Sequence, residues 1–411
     1  MNPSAKPAQK KSLFYGWIIV LCGVLMLGAT HGVVTNCFSL FIIPVSSDLG
    51  VSREAFSVCM TFVNGLYALI SFLSGRIYRR VPVITTMKIA AFVLPASYFA
   101  YSFCRSLPAF YTVAFFVGIS VSFLSFLPFT NLISNWFEEK RGTALGLCFM
   151  GSGLGGMVFN AGTAILLSRL GWQSAYRVIG VLMLIILVPI VFFVLKETPA
   201  EKGLLPLGVG TTEAPSLVIS GPSVGRAVRS LSFFALILLA LIIGFTSTVI
   251  GNVIVTHLCD LGFPQLYASN VVTAYLGTLA ITKILLGRLY DRIGARKGTA
   301  VSMMGFIIGF TGLLLGRYTA AHLLILVAAL GTASSNVSYP VLARYAFGNR
   351  NYSTLYGFLM GTNFVTCSFA VVIANMINTA TGSYNGVHIL CIVISAIAIA
   401  LLPFIRPVPE K

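Results

Sequence analysis

The stretch GRLYDRIGARK at residues 287–297 decides the fold, because it is a short basic loop between two long apolar runs. A weaker copy, GRIYRRVP, occupies residues 75–82, at an offset of 212 residues. The triplet Asp-Leu-Gly recurs at the same offset, at residues 48–50 and 260–262. Equal offsets at matching places indicate two parallel repeats, and two parallel repeats of six helices build one large class of membrane transport proteins.

The composition around these loops is that of an integral membrane protein. Of the 411 residues, 57% are hydrophobic and 9% are charged. Soluble domains have about 45–50% apolar and about 25% charged residues, so a soluble globular protein is excluded. A membrane-crossing helix needs about 20 apolar residues, and the hydrophobic content is sufficient for twelve. The basic residues lie between apolar runs rather than in one patch, which argues against nucleic acid as a partner.

The apolar runs predict an all-α protein with twelve membrane-spanning helices in two groups of six. The first group is predicted at 15–43, 54–77, 82–103, 108–136, 142–168 and 174–195. The second group is predicted at 231–257, 265–289, 298–317, 320–347, 352–379 and 386–404. The chain then divides into an N-terminal tail, an N-terminal bundle, a linker, a C-terminal bundle and a C-terminal tail, at 1–14, 15–195, 196–230, 231–404 and 405–411.

The distribution of basic residues predicts the orientation of these helices. With the N-terminus in the cytoplasm, 21 of the 27 Lys and Arg residues fall on the cytoplasmic side and five on the other side. Such an excess is the positive-inside signal, so both tails and the linker are predicted to be cytoplasmic. Most of the net charge of +17 is therefore explained by basic residues on the predicted cytoplasmic side of the membrane. The count assigns every other Lys and Arg residue to one of the two sides and leaves Lys283 inside a predicted span.

Residues 287–297 closely resemble the loop signature of the major facilitator superfamily, and the first copy of the loop resembles it less well. In the first copy, Arg79 stands where the signature has Asp. The resemblance implies a twelve-helix fold in two pseudo-symmetric halves. It also implies a latch that holds the cytoplasmic side of the C-terminal half closed, carried by Gly287, Asp291 and Arg292.

Further motifs resemble those of the bacterial monocarboxylate porters and the related oxalate:formate antiporter group. They are YGW, NWFEEKRG, GSGLGG, GWQ and ETP, at 15–17, 135–142, 151–156, 171–173 and 197–199. The resemblance covers nearly the whole chain. It implies a monomeric secondary transporter in a bacterial inner membrane, working by alternating access, and its expected substrate is a small organic anion, a monocarboxylate above all.

Lys283 is the predicted counter-ion for that substrate. A charge inside the bilayer is costly unless it is solvated or paired, so an embedded lysine indicates function. It lies four residues before Gly287, where the related carriers resemble one another in having an arginine that meets the substrate carboxylate. The alternative is a lysine that snorkels to the cytoplasmic edge near Arg288. Tyr275, two turns earlier, is a candidate hydroxyl donor to the same substrate.

Four other residues are weaker candidates for the binding site. In the oxalate exchangers a second cation follows a Tyr-Gly-Phe motif, but here the neutral Asn363 stands at that place. A single embedded cation favours a monocarboxylate over oxalate, and the alternative role of Asn363 is an interhelical hydrogen bond. His31, in the middle of the first span, is a candidate cavity residue that could titrate near neutrality. Tyr67 and Asn336 are candidate cavity residues, with ordinary helix packing as the alternative.

The acidic residues leave the coupling mechanism open. All ten fall in predicted loops, tails or span ends, so the commonest proton relay is missing. Symport, exchange and uniport all remain, with a proton or a counter-anion as the candidate second solute. The alternative function is the export of amphipathic drugs or bile-acid-like carboxylates. The sequence has no catalytic cluster, metal-ligand spacing or cofactor motif, so we predict that the protein is not an enzyme and needs no cofactor.

Overall fold

The computed structural model describes residues 14–208 and 221–409, and no β-strand occurs in these two ranges. The first half contains α1 Tyr15–Ala29, α2 His31–Val34, α3 Phe38–Leu49, α4 Arg53–Arg80, α5 Val83–Tyr101, α6 Leu107–Ser122, α7 Phe126–Trp136 and α8 Arg141–Pro189. A short helix, α9 Val224–Val228, follows in the predicted linker. The second half contains α10 Leu231–Asp260, α11 Gln265–Ile293, α12 Ala295–Leu314, α13 His322–Phe347, α14 Tyr352–Thr381 and α15 Asn385–Leu401.

Most of these helices are long and apolar enough to cross a membrane. Ten segments within the described residues meet that criterion by length and composition. One of them, Arg141–Val194, holds two spans, because α8 turns at Gly171, where φ is 75°. The 30-residue helix α14 adds another. The predicted twelve-helix fold is therefore confirmed, while residues 1–13, 209–220 and 410–411 of the predicted tails and linker lie outside the described residues.

Two predicted spans are interrupted, and the interruptions lie side by side. The first span breaks between α1 and α2 at Thr30, and the fourth breaks between α6 and α7. Pro128, in the first turn of α7, has no N–H to donate to the carbonyl of Leu124 four residues earlier, which interrupts a continuous helix. The Thr30 hydroxyl donates to this Leu124 carbonyl instead, at 3.2 Å. The N-terminal half therefore has two adjacent helix breaks in its middle.

The two halves meet along two helix pairs, and the first pair is α8 with α11. The backbone of Gly142 and Gly146 lies against Gly287 and the carbonyl of Lys283 so closely that a Cβ at any of the three glycines would overlap the facing backbone. Only residues without a side chain allow two helices to approach this closely. A Glu138–Arg344 ion pair, at 2.7 Å, lies at the same end of the bundle.

The second pair is α4 with α14. Gly357 lies against the backbone of Ser71, and Gly75 lies against Thr354. The Ser74 hydroxyl donates to the Ser353 carbonyl at 3.1 Å, across the boundary between the halves. Small residues and neutral hydrogen bonds therefore close this contact. The two contacts between the halves, α8 with α11 and α4 with α14, are called seams below.

Both seams close one end of the bundle and leave the other end apart. We call the closed end, which carries Arg79, Lys140 and Arg292, the basic end. The contacts between the halves reach from there past Lys283 to Ala280 on α11, which faces Gly153 of α8. On α4 they reach Tyr67, whose ring centroid is 3.9 Å from that of Phe364. A Cβ at Gly65 of α4, two residues beyond Tyr67, or at Gly277 of α11, six residues beyond Lys283, would meet nothing within 4 Å. The end away from the basic end is called the open end below.

Candidate functional site

The carboxylate of Asp291 joins the two halves at the basic end. Its Oδ1 accepts a hydrogen bond from the Gly142 amide at 2.8 Å. Its Oδ2 accepts from the amide and the hydroxyl of Thr143, at 2.8 and 2.5 Å. These are among the first amides of α8, which have no partner within their helix, and the N-cap residue Lys140 provides no side-chain cap. A carboxylate from the other half therefore caps α8, where the helix dipole also favours a negative charge.

The three predicted latch residues have different surroundings. Gly287 and Asp291 both lie in the contact between α8 and α11. Arg292 is exposed and makes no ion pair within 4.0 Å in the described part of the chain. The pseudo-symmetric position in the first loop is Arg79, which is also exposed. The contacts of the predicted latch are thus made by Gly287 and Asp291.

Lys283 lies on the same seam, deeper in the bundle. Its side chain is 5% exposed, and Nζ donates to the Ser152 hydroxyl at 2.9 Å and to the Phe149 carbonyl at 3.3 Å. Both partners are neutral groups of α8, from the other half of the chain. Within residues 14–208 and 221–409, no carboxylate lies within ion-pairing distance of this ammonium.

The direction of the Lys283 side chain argues against snorkelling to the basic end. Its backbone carbonyl lies beside Gly146, but its Nζ reaches Phe149 and Ser152 of the same neighbouring helix. Since α8 begins at the basic end and rises about 1.5 Å per residue, Ser152 is about 9 Å further from that end than Gly146. The ammonium therefore extends toward the middle of the bundle, away from the nearest loop.

Aromatic rings surround this ammonium. The ring centroid of Phe126, at the start of α7, lies 6.0 Å from Lys283 Nζ, 4.6 Å from the centroid of His31 and 5.1 Å from that of Phe149. His31 begins α2 directly after the break at Thr30 and is half-buried. The structure therefore brings Lys283 and His31 to the same aromatic ring, at the helix breaks in the middle of the N-terminal half.

The remaining predicted residues of the C-terminal half bond elsewhere. The hydroxyl of Tyr275 is hydrogen-bonded to Thr332 of α13 at 2.6 Å. The amide of Asn363 donates to the hydroxyl of Tyr339 at 2.8 Å, which is an interhelical hydrogen bond between α14 and α13. The amide of Asn336 donates to its neighbour Ser335 at 3.2 Å. None of these bonds connects the three predicted residues with Lys283.

The sequence does not predict the hydrogen-bond partners of Lys283 and Asp291. Ser152 lies within the glycine-rich run 151–156. Such a run predicts close helix packing, and it does not indicate that the Ser152 hydroxyl bonds to Lys283. The Phe149 carbonyl binds Lys283 and the Gly142 amide binds Asp291. Both are backbone groups, which a pattern of side chains does not predict. The one available signal is the position of Ser152 among glycines, since a hydroxyl there can reach a facing helix.

A cavity lies at the open end of the C-terminal half. It has a volume of about 660 Å³ and lies between the ends of α10, α12, α14 and α15. Its lining includes His257, Asp260, Arg317 and Tyr384. It thus presents charges of both signs, and it contains none of the predicted site residues.

Known proteins resemble this arrangement along the whole chain. The family model of the Major Facilitator Superfamily matches residues 20–258 and 236–411. The chain belongs to the major facilitator superfamily. The predicted superfamily is therefore confirmed, and the chain is a multi-pass membrane protein of that family.

Two bacterial relatives match over nearly the full length. The oxalate:formate antiporter of Oxalobacter formigenes is 24% identical over 406 residues, which is 95% of this chain and 91% of that protein. The MFS-type transporter YcxA of Bacillus subtilis is 24% identical over 397 residues, which is 90% of this chain and 91% of that protein. The match to the transporter ESBP6 of Saccharomyces cerevisiae is 31% identical over 175 residues and covers 41% of this chain. The chain spans 25% of ESBP6, 64% of pytF of Aspergillus terreus and 40% of dbaD of Emericella nidulans.

Solved structures of the superfamily share the fold. The proton:xylose symporter XylE matches with a TM-score of 0.70 at 14% identity, covering 95% of this chain and 94% of that one. FucP in the outward conformation matches with a TM-score of 0.71 at 12% identity, covering 96% of this chain and 100% of that one. At these identities, the likeness supports the twelve-helix architecture alone.

Proposed function

We propose that this protein carries a small organic anion, a monocarboxylate, across the membrane by alternating access, with Lys283 as the substrate counter-ion. The observation that carries the proposal is the buried ammonium on the seam between the halves, for which the described residues provide no carboxylate. An uncompensated charge within a membrane protein is expensive, and such residues mark substrate pathways. A bound carboxylate would compensate this charge.

The chemistry of the neighbouring groups supports an anion of a single charge. The partners of Lys283 are a hydroxyl and a carbonyl, which orient the ammonium without neutralising it. At the position of the second cation of the oxalate exchangers, Asn363 is neutral and donates to Tyr339. One full-length relative is named an oxalate:formate antiporter, and oxalate and formate are both carboxylates. One cation then matches one carboxylate.

The proposed orientation follows from the charges at the two ends of the bundle. If the basic end faces the cytoplasm, as the positive-inside rule predicts, the open end faces outward and both termini are cytoplasmic. Transport then requires the contacts of Asp291 and of the glycine seams to separate, while the open end closes. A bacterial inner membrane is the proposed location.

The rival function, export of amphipathic compounds, is not favoured by any observation here. It would require a wide cavity lined with aromatic side chains. Phe126 and Phe149, the rings next to Lys283, are at most 1% exposed and pack against each other.

Uptake into proteoliposomes tests the proposal. Labelled formate, acetate, propionate, oxalate and succinate are supplied outside, with or without the same acid inside and with or without a pH gradient. We expect monocarboxylates to be taken up, and Lys283→Gln to lower the uptake at least about 30-fold, because a charged partner of the substrate is lost. Lys88→Gln, the same change near the start of α5 at the basic end, is expected to retain uptake.

The outcomes separate the parts of the proposal. Wild-type uptake by Lys283→Gln would contradict the counter-ion role, and oxalate taken up in preference to every monocarboxylate would contradict the substrate class. Uptake that needs acid inside indicates exchange, and uptake that follows the pH gradient indicates symport, for which His31 is the proposed proton carrier. Uptake that needs neither indicates uniport.

A further inference from the structure

The start of α7 lies in the middle of the bundle, and its first amides have no backbone acceptor in the described part of the chain. The helix begins at Phe126, and its N-cap residue Ser125 makes no side-chain cap. In the described part of the chain, the amides of Phe126 and Leu127 donate to no backbone carbonyl. An eleven-residue helix that starts inside a membrane protein directs these amides and the positive end of its dipole into the interior.

Two buried hydroxyls face the same point. The hydroxyl of Tyr67 lies against the Ser125 side chain and against the amides of Phe126 and Leu127. Neither the Tyr67 hydroxyl nor the Ser125 hydroxyl has a hydrogen bond of acceptable geometry. Tyr67 is 2% exposed and Ser125 is 0% exposed, so water does not reach them freely. Buried polar atoms without partners are rare in proteins and call for an explanation.

Phe126 connects this point with Lys283. Its backbone belongs to the first turn of α7, whereas the centroid of its ring lies 6.0 Å from the Lys283 ammonium. Tyr67 also lies on the boundary between the halves, because its ring packs against Phe364 of α14. The unpaired donors and the buried cation therefore flank the same residue, at the depth where the contacts between the halves end.

We propose that the start of α7, with Tyr67 and Ser125, is a second subsite of the transport site that binds an oxygen atom of the substrate remote from its carboxylate. The inference rests on the proposed function, in which Lys283 binds the carboxylate. All groups at the second subsite are neutral donors, so they can donate hydrogen bonds to the lone pairs of an oxo or hydroxyl oxygen. They add no second positive charge. The substrate class becomes an oxo- or hydroxy-substituted monocarboxylate.

The position of Phe126 also predicts where the second oxygen lies on the substrate. Because its ring separates the ammonium from the start of α7, the two oxygen-bearing groups have to be several bonds apart. Pentanoate and 4-oxopentanoate have the same chain length and charge and differ in one oxygen, three carbons from the carboxyl carbon. They are therefore suitable probes.

The experiment compares the inhibition of labelled propionate uptake by pentanoate and by 4-oxopentanoate. In the wild type we expect 4-oxopentanoate to bind about tenfold more tightly, because the buried donors gain an acceptor. Tyr67→Phe and Ser125→Ala are each expected to remove most of this preference. The matched control is Tyr78→Phe, which removes another buried hydroxyl without a partner from the same helix α4 and is expected to keep the preference.

Three results would overturn the inference. They are equal affinity of the wild type for the two acids, a preference that survives in both Tyr67→Phe and Ser125→Ala, and a loss in these variants that is equal for the two acids. The last result would mean that the hydroxyls support α7 without touching substrate. The proposed function fails separately, if the wild type transports no carboxylate or if Lys283→Gln transports propionate normally.

Discussion

The two seams between the halves are pseudo-symmetric in position and different in chemistry. Where α8 meets α11, the carboxylate of Asp291 accepts three hydrogen bonds from Gly142 and Thr143. Where α4 meets α14, the facing groups are Gly357, the serines of α4 and the carbonyl of Ser353, all neutral. Closure of the basic end therefore depends on charge at one seam and on close packing at the other.

One substitution between the repeats explains this difference. Arg79 stands 212 residues before Asp291, in the same place of the repeated loop. A carboxylate can cap the amides at a helix N-terminus, but a guanidinium has no acceptor and is repelled by the positive end of the helix dipole. The first repeat thus keeps the first glycine of the motif, Gly75, and lacks the cap. Substitutions at the two seams should then have unequal effects.

The largest effect is expected for Asp291→Asn. Hydrogen bonds to a charged group contribute about 1.5–3 kcal/mol each, so the variant should open the α8–α11 seam about 10- to 100-fold more often. Hydrogen–deuterium exchange of peptides that cover 141–149 measures this opening. Asp48→Asn is the control, since that carboxylate accepts from Trp172 and Gln173 within one half. Equal exchange in both variants would contradict the role of Asp291 in closure.

A somewhat smaller effect is expected for Gly357→Ala at the other seam. Its Cβ would overlap the Ser71 backbone, and overpacking of this kind costs about 1–3 kcal/mol. Exchange should rise in peptides of α4 and α14 and stay unchanged at the start of α8. Gly65→Ala, in the same helix α4 but with open space around its Cβ, is the control. A rise at both seams would show that they open together, which the comparison does not predict.

The smallest effect is expected for Arg79→Asp, which restores the acid of the motif. A carboxylate near the first turn of α14 is worth about 0.3–1 kcal/mol, so exchange at residues 352–355 should slow about two- to fivefold. Arg80→Asp places the same charge at the adjacent exposed residue and controls for the general change in charge. If the two variants behave alike, the asymmetry does not arise from position 79.

The sequence predicts the helices well because the membrane imposes an apolar length on each of them. It does not predict the helix breaks at Thr30 and Leu124. Pro128 is visible in the sequence, yet Pro95 and Pro340 lie within continuous helices, so a proline alone does not specify a break. The break also depends on the Thr30 hydroxyl from another helix, which takes the Leu124 carbonyl.

The sequence predicts the charged residue of the candidate site but not its neutral partners. Lys283 is recognisable because the count of basic residues on the two sides leaves it inside a span. Its partners Phe149 and Ser152 lie more than 130 residues away and come together only when the two halves pack. The unpaired hydroxyls of Tyr67 and Ser125 are equally invisible in sequence, since only the folded chain shows which polar atoms lack partners.

The central claim is that Lys283 binds the carboxylate of the substrate, and direct binding tests it without the complications of transport. Titration of pentanoate into the purified protein should give at least about 30-fold weaker binding for Lys283→Gln than for the wild type. Lys283→Arg, which keeps the charge, should bind within a few-fold of the wild type. If Lys283→Gln binds pentanoate as tightly as the wild type does, Lys283 is not the counter-ion and the account is wrong.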